Sequence, residues 1–546
     1  MKQEKVVFIA DFYKDIVAGG AELYTDVIFE ELKDSCEIIK ITSNETNKKF
    51  LKKYNKCLFV ISNFILLGED CKKYICDNMR YVIIEHDHKY LRNNNPVHYK
   101  KCLAPPDEIQ NMEFYQKAVA VFCQSKLHCE IIYKNTLLKN LINLGGNLWS
   151  KEHISILSKY IDSQKSPLCA ILESVNKNKG MIKAIDYCRN TSQQFRLIPS
   201  LDYEIFIKTL SSFKKLVFFP LWIESFSRLA IEAKILGCEL VTNGRLGCAS
   251  EGLLNLSGKK LLDRVIQDQE RILNTFKNLI LNNKIPNYYE KKLPKISIMT
   301  TFVDGEKYIK GWLKSCEQQT IFNEMDIYIC DAGSTGNEQK IIKNFMKKHK
   351  NVFYIKKNNK ISASEAFNEM MKESPNEYIS LVPLDDRLAK DYSEILRKYL
   401  FFSEADLVYG DCFQTMKPNE TFCSNSSHGR RYEHSLKDFS RENMIKCLPG
   451  PIPMFKKQTI VKSGGFDITL KHANDWEMWL RCVRNGAEFF KVHAPVGLYY
   501  FSPTGVTTSK KNEASKRREE KKVFYEYRDV IGEKNFQIFK NYFDEY

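Results

Sequence analysis

The chain has 546 residues, of which 43 % are hydrophobic and 27 % charged, so it is too long for one core and reads as roughly two to four globular domains, not a fibrous or disordered chain. Its 83 Lys and Arg outnumber 67 Asp and Glu to give a net charge of +16, which suits polyanions, anionic lipid surfaces and phosphorylated substrates without choosing among them. The basic residues are scattered along the chain and form no recognised nucleic-acid-binding motif, so no nucleic-acid partner is expected. No apolar stretch is long enough to cross a bilayer, and the start does not read as a secretory signal. The 17 cysteines form no Cys-x-x-Cys pair and read as reduced thiols packed as small hydrophobes. The expected location is the cytoplasm, with a peripheral position against the inner face of an anionic membrane left open.

In chain order, residues 6–10, 58–62, 81–85, 119–124, 168–172 and 216–220 are short apolar runs separated by helical patterns. That alternation predicts parallel, doubly wound sheets in two Rossmann-like lobes, the second of them shortened. Residues 261–281 predict a closing helix, and a polar stretch with Pro286 and Pro294 follows; the main domain boundary is placed there. The pattern then restarts. Residues 296–300, 326–330, 352–355 and 378–381 predict strands, with helices over 308–318, 338–349 and 362–372. Residues 509–531 predict a charged helix with three basic clusters, read as a solvated face or as a dock for an anionic surface.

Three acidic islands dominate the second half. They are Cys330-Asp331-Ala332-Gly333-Ser334-Thr335, Pro383-Leu384-Asp385-Asp386, and Asn474-Asp475-Trp476-Glu477-Met478-Trp479-Leu480-Arg481. The first two follow short apolar runs, where an open α/β sheet presents ligand-binding side chains. Carboxylates at such strand ends suit a nucleotide diphosphate held through a divalent metal, and the third island could supply a general base. Read singly, each has a bland alternative: a helix cap at Gly333-Ser334-Thr335, two solvated turn aspartates, and an aspartate capping an apolar helix.

Together with Leu313-x-x-Cys316-x-x-Gln319-Thr320, the run from Ile361 to Asn368, and Gly464-Gly465-Phe466-Asp467, these islands fall in an order that resembles the family 2 glycosyltransferases over about residues 294–505. The resemblance implies a GT-A nucleotide-sugar-binding domain. Asp331, Ser334 and Asp385 would contact the donor, Asp385 and Asp386 would hold Mg²⁺ or Mn²⁺ with Asp386 the stronger direct ligand, and Asp475 would be the base of an inverting transfer. Four positions depart from the family pattern: Ala332 and Gly336 where the family often has Asp, Pro383 where an acidic residue or Asn is common, and Asn474 in place of Glu.

In the first half, Ala18-Gly19-Gly20-Ala21-Glu22 opens a helix after the first strand, and Gly19 and Gly20 would let backbone N–H groups approach a phosphate or sugar. The stretch from Phe219 to Ala233, with Glu224 and Glu232, resembles the donor-binding helix of the family 4 glycosyltransferases. That family has the two-lobed GT-B fold. The resemblance implies Glu224 near the donor sugar as the catalytic carboxylate, Glu232 on the ribose, and backbone N–H groups of Ser225 and Phe226 facing the phosphates. Of the family's cationic clamp, Lys179-Gly180 remains.

The expected organisation is a GT-B-like lobe over 1–165, a donor-binding lobe over 166–285, a linker over 286–294, a GT-A domain over 295–508 and a charged helical tail over 509–546. The expected function is sugar transfer from nucleotide-diphosphate donors to a growing surface polysaccharide or lipid-linked saccharide. The C-terminal site would be inverting and metal-dependent, and the N-terminal site, if active, retaining. Two alternatives stay open: a non-catalytic acceptor-binding N-terminal half beside one active GT-A domain, and a polyanion-binding protein.

Overall fold

The computed structural model describes residues 4–17 and 19–545. The chain divides into two compact units, Met1–Lys291 and Lys292–Tyr546. The first unit holds two sheets. Strands β1 (Lys5–Ala10), β2 (Glu37–Thr42), β3 (Leu58–Ile61), β4 (Arg80–Ile84), β5 (Ala120–Cys123) and β6 (Leu141–Asn143) form a six-stranded sheet of order β2-β1-β3-β4-β5-β6. Strands β7 (Ser166–Leu172), β8 (Phe195–Ile198), β9 (Phe213–Phe218) and β10 (Glu239–Thr242) form a four-stranded sheet of order β10-β9-β7-β8. Both are parallel throughout. Central strands of parallel sheets are covered on both faces and so read as unbroken apolar runs, as Val6-Val7-Phe8-Ile9 does, each residue buried. By contrast, β2 lies at an edge and exposes Glu37 and Lys40. Its polar residues break the run, and sequence reading passes over it as it does over β6 and β8.

The helix Gly258–Asn282 spans both sheets of this unit. Its first turns bring Leu261, Leu262 and Val265 to the core of the four-stranded sheet. Its later turns bring Ile272, Phe276 and Leu279 against Phe8, Val82 and Phe122 of the other. One apolar stripe at helical spacing therefore serves two cores.

In the second unit, β11 (Ile296–Phe302), β12 (Met325–Asp331), β13 (Val352–Lys356), β14 (Tyr378–Leu381), β15 (Arg387–Leu388), β16 (Leu407–Thr415), β17 (Met454–Lys456) and β18 (Phe489–Tyr500) make one mixed sheet of order β13-β12-β11-β14-β17-β16-β18-β15. The first four strands in that order are parallel. Strand β17 then runs antiparallel to both β14 and β16. Because β12 and β14 flank β11, their carboxyl ends lie on the same edge, about 10 Å apart at two interstrand spacings.

The C-terminal tail is not a solvated arm. Helices Glu513–Glu526, Arg528–Ile531 and Glu533–Asp544 bring Val523, Phe524, Tyr527, Val530, Ile531 and Phe536 into the main core of the unit, beside Trp476 and Trp479. Phe524 is fully buried and stacks on Phe536 and Phe543. Lys510, Lys511, Arg518 and Lys522 of the tail's basic clusters are exposed, while the apolar residues turn inward. Phe524→Ala is therefore expected to cost about 3–5 kcal/mol by urea unfolding of the C-terminal unit; a change under about 0.5 kcal/mol would show that this ring is not part of the core.

Candidate active site

At the end of β12, the Asp331 side chain has no exposed surface. Its Oδ1 accepts from the Ser334 N–H at 2.7 Å, and its Oδ2 from the Tyr354 hydroxyl at 2.9 Å and Lys356 Nζ at 3.3 Å. Burial pushes its carboxyl upward, but the Ser334 and Tyr354 hydrogen bonds and the Lys356 ammonium outweigh it and hold the group below the usual carboxylate range. Ser334 is also buried, its Oγ accepting from the Asp304 N–H at 2.8 Å. Gly333 takes φ +104°, and a Cβ there would press on the backbone of Asn359 and Lys360, so glycine permits this turn. Both predicted donor contacts thus face inward and hold the strand-end turn.

After β14, Asp386 is 1 % exposed while Asp385 is half-buried. The Tyr500 N–H, at the end of β18, donates to Asp386 Oδ1 at 3.0 Å, and Oδ2 has no hydrogen-bond partner. Burial, then repulsion from Asp385, pushes the Asp386 carboxyl well above its ordinary range; burial also raises Asp385. An orphaned buried carboxylate oxygen beside a second carboxylate is a donor set that fits a hard divalent cation. Among the described residues no group of three or more His, Cys, Asp or Glu side chains could hold a metal, so the protein offers two carboxylates and leaves the remaining positions to other oxygens.

Asp475 begins the helix Asn474–Arg484. Its side chain is open to a cavity of about 680 Å³ whose walls include Pro383, Tyr432, Cys447, His472, Tyr499 and Lys516. Oδ1 accepts from the Trp476 N–H at 2.8 Å, and the Cys447 thiol donates to Oδ2 at 3.5 Å. Enclosure by the cavity walls raises the Asp475 carboxyl. Tyr499 stands electrostatically within reach of Asp386, Asp385 and Asp475 together, and burial chiefly, with these three charges, drives its hydroxyl pKa upward. Asp475, Tyr499 and Pro383, which shortly precedes the Asp385–Asp386 pair, line the same cavity.

The start of this helix is braced from the tail. The Glu519 carboxylate accepts the N–H groups of Lys471, His472 and Ala473 at 2.7–3.2 Å. These donors precede a helix and have no intrahelical acceptor, and a carboxylate there also complements the helix dipole. The Tyr527 hydroxyl donates to Glu477 at 2.5 Å, and Arg484 pairs with Asp529. Cys447, Tyr499, Lys516, Glu519 and Glu520 are absent from the sequence-derived candidates. The apolar spacing of Val523, Phe524 and Tyr527 is the signal that would have attached the tail to the site.

In the N-terminal unit, Gly19 caps the helix Gly20–Leu32, and Ala18 lies outside the described residues. A Cβ on Gly20 would meet nothing within 4 Å. Lys179 Nζ lies 2.9 Å from Glu224 Oε1. Gly180 makes that approach possible: at φ +72° a Cβ there would sit 1.8 Å from the Phe219 carbonyl oxygen. Glu232 is 5 % exposed and accepts from Trp149 Nε1 at 2.9 Å and the Tyr203 hydroxyl at 3.0 Å. Ser225 and the buried Phe226 follow Glu224 at the start of the predicted donor helix.

From Ser225 a hydrogen-bond chain runs to the other sheet of the unit. Ser225 Oγ donates to Gln124 Oε1 at 2.9 Å, Gln124 Nε2 reaches His86 Nδ1, and His86 Nε2 reaches Ser62, each at 3.0 Å; Ser62 meets Thr25 at 3.0 Å and Thr25 donates to the Ala21 carbonyl. Burial, with the Lys89 and His128 charges, holds His86 well below its usual pKa. It is therefore neutral, and one consistent direction of donation satisfies every link.

Residues 297–461 match the model of glycosyl transferase family 2. An uncharacterized glycosyltransferase of Methanocaldococcus jannaschii is 23 % identical over 214 residues, covering 37 % of this chain and 68 % of that protein. The chondroitin synthase of Escherichia coli is 25 % identical over 213 residues, covering 37 % of this chain and 30 % of the synthase. Among solved structures, S. aureus TarS in complex with UDP aligns at 14 % identity and a TM-score of 0.36, over 45 % of this chain and 72 % of that one. The protein is a glycosyltransferase enzyme by its C-terminal unit, whose matched segment is a GT-A-like α/β domain. Asp475 lies beyond the matched segment. No helix among the described residues is long and apolar enough to cross a membrane.

The raised carboxyls at 385 and 386 carry a stability consequence. A carboxyl whose folded pKa exceeds its unfolded value of about 3.9 stabilises the fold in its protonated form below that value. The contribution is lost as pH rises through the folded pKa. Asp386→Asn should therefore raise Tm at pH 7 by about 2–4 °C for each kcal/mol relieved, and the gain should shrink toward pH 4. A lower Tm for the variant at pH 7 would show that the pair does not repel.

Proposed function

We propose that the C-terminal unit transfers a sugar, with inversion, from a nucleotide-diphosphate donor to a hydroxyl of a growing glycan, a surface polysaccharide or lipid-linked saccharide. One observation carries the reading: Asp475 opens into a cavity bounded by Pro383, with Tyr499 in the field of Asp475, Asp385 and Asp386 alike. Asp475 takes the proton of the acceptor hydroxyl as that oxygen bonds to the anomeric carbon. The bond from that carbon to the diphosphate oxygen breaks, and its electron pair leaves with the nucleoside diphosphate. A carboxylate whose pKa is raised is a stronger base toward the acceptor hydroxyl than an unperturbed aspartate.

Asp385 and Asp386 would hold Mg²⁺ or Mn²⁺, which when bound offsets charge on the departing diphosphate. Exposure favours Asp385 as the direct ligand, with Asp386 contributing its unpartnered Oδ2. Asp331 and Ser334 fix the turn that presents the nucleotide edge of the site. Work at the inner face of an anionic membrane is consistent with the chain's +16 charge.

For the N-terminal unit we propose a GT-B-like, family 4-like pair of lobes. Two contacts favour a glycan-holding module over a second, retaining transferase site. Lys179, the remnant of the diphosphate clamp, is neutralised by Glu224, and Glu232 is taken by Trp149 and Tyr203.

Asp475→Asn is expected to lower transfer by about 10²–10⁴-fold while leaving donor affinity within twofold, measured by titration with UDP-glucose, UDP-N-acetylglucosamine and GDP-mannose. Undiminished turnover would remove Asp475 from the mechanism. In the native enzyme, activity should fall as pH drops through a value above the ordinary aspartate range, since the base must be ionised. MnCl₂ should raise the Tm of the native protein with a bound donor, and Asp385→Ala should abolish that rise; an equal rise in the variant would locate the cation elsewhere.

A further inference from the structure

The cavity in front of Asp475 has a wall that belongs to the tail. Lys516 and Glu520 come from the helix Glu513–Glu526, and Phe539, Tyr542 and Phe543 from the helix Glu533–Asp544. All five lie beyond residues 297–461, the stretch that matches the family. The volume of about 680 Å³ is within the ~300–1,000 Å³ range of small-molecule sites. Its lining combines aromatic rings with a few converging polar groups. Tyr542 is 57 % exposed and Phe539 half-buried, so both rings remain available to a ligand. His472 is 5 % exposed, lines the cavity, and has Nδ1 without a partner while Nε2 meets Ser515 Oγ at 2.9 Å. A buried ring nitrogen with nothing to bond is a vacancy for a ligand hydroxyl.

The charges in the cavity are balanced. Lys516 lies 3.7 Å from Glu520, and Lys446 lies 3.4 Å from Glu433. Paired cations of this kind favour a neutral, hydroxyl-rich ligand over a phosphorylated one. A pyranose fits that description, because it offers an apolar C–H face to an aromatic ring and a belt of hydroxyls to polar side chains.

We infer that the two C-terminal helices form the acceptor subsite, with Tyr542 and Phe539 against the C–H face of a neutral pyranose and Glu520, Lys516 and His472 on its hydroxyls. The inference rests on Asp475 being the base, which must meet the acceptor and so marks this side of the site as the acceptor's.

The test uses full-length protein and saturation-transfer NMR with methyl glycosides of glucose, galactose, mannose and N-acetylglucosamine, with glycerol phosphate as a charged comparison. At least one glycoside should bind the native protein. Tyr542→Ala and Glu520→Gln should each weaken it tenfold or more, Tyr542→Phe should retain it, and Tm should stay within about 1 °C because Tyr542 is exposed. The native protein should release nucleoside diphosphate from UDP-glucose, UDP-N-acetylglucosamine or GDP-mannose without acceptor. Failure of every glycoside to bind, binding indifferent to both substitutions, or binding of glycerol phosphate alone would overturn the inference. Absence of donor hydrolysis in the native protein would instead count against the transfer reading, and the glycoside titrations would still decide the subsite.

Discussion

Two adjacent carboxylates after β14, Asp386 held away from water and Asp385 half-buried, set the terms for the C-terminal unit. Asp386 is kept inside by the Tyr500 N–H, and β15 pairs with Leu498 and Gly497 of β18 immediately beside it. That pairing brings Tyr499 to the cavity and so ties the position of the carboxylates to the far edge of the sheet. Leaving the second Asp386 oxygen unbonded is unfavourable for folding alone. Such a defect is tolerated where a charged ligand can relieve it, which is why the site's chemistry and its local instability have one cause.

The helix that carries Asp475 faces the opposite problem, since its leading N–H groups need acceptors. Glu519 provides them from a segment more than forty residues further along the chain. The brace is charge-assisted and partly buried, so it fixes the direction of the helix more firmly than a local serine or asparagine cap would. Tyr527 on Glu477 and Arg484 on Asp529 extend the same contact along the helix. Placement of Asp475 is thus a product of tertiary packing.

The strands β11, β12 and β14 were legible as apolar runs because each is buried within the sheet, and the edge strand β13 was legible from its apolar residues although only Val352 of it is buried. The edge strand β2, with Glu37 and Lys40 exposed, carries no such run. Strands β16 and β18 went unread because their pattern is irregular, with a register shift near Asp411. Asp331, Asp385, Asp386 and Asp475 stood out as types of residue in an ordered set of motifs. Their surroundings did not: the inward turn of Asp331, the orphaned oxygen of Asp386 and the Lys179–Glu224 contact arise from distant partners. The tail was legible as a charged helix, but its inward Val523, Phe524 and Tyr527 were less conspicuous in a linear reading than its charges.

The helix Glu513–Glu526 carries Glu519 and Glu520 as neighbours, one gripping the helix that bears Asp475 and the other facing the cavity. The shape of the cavity wall and the rigidity of the helix Asn474–Arg484 are consequently fastened to the same rod. Grafting a foreign tail to redirect such an enzyme would loosen the machinery it meant to retune, whereas point changes on the distal helix Glu533–Asp544 leave the grip intact.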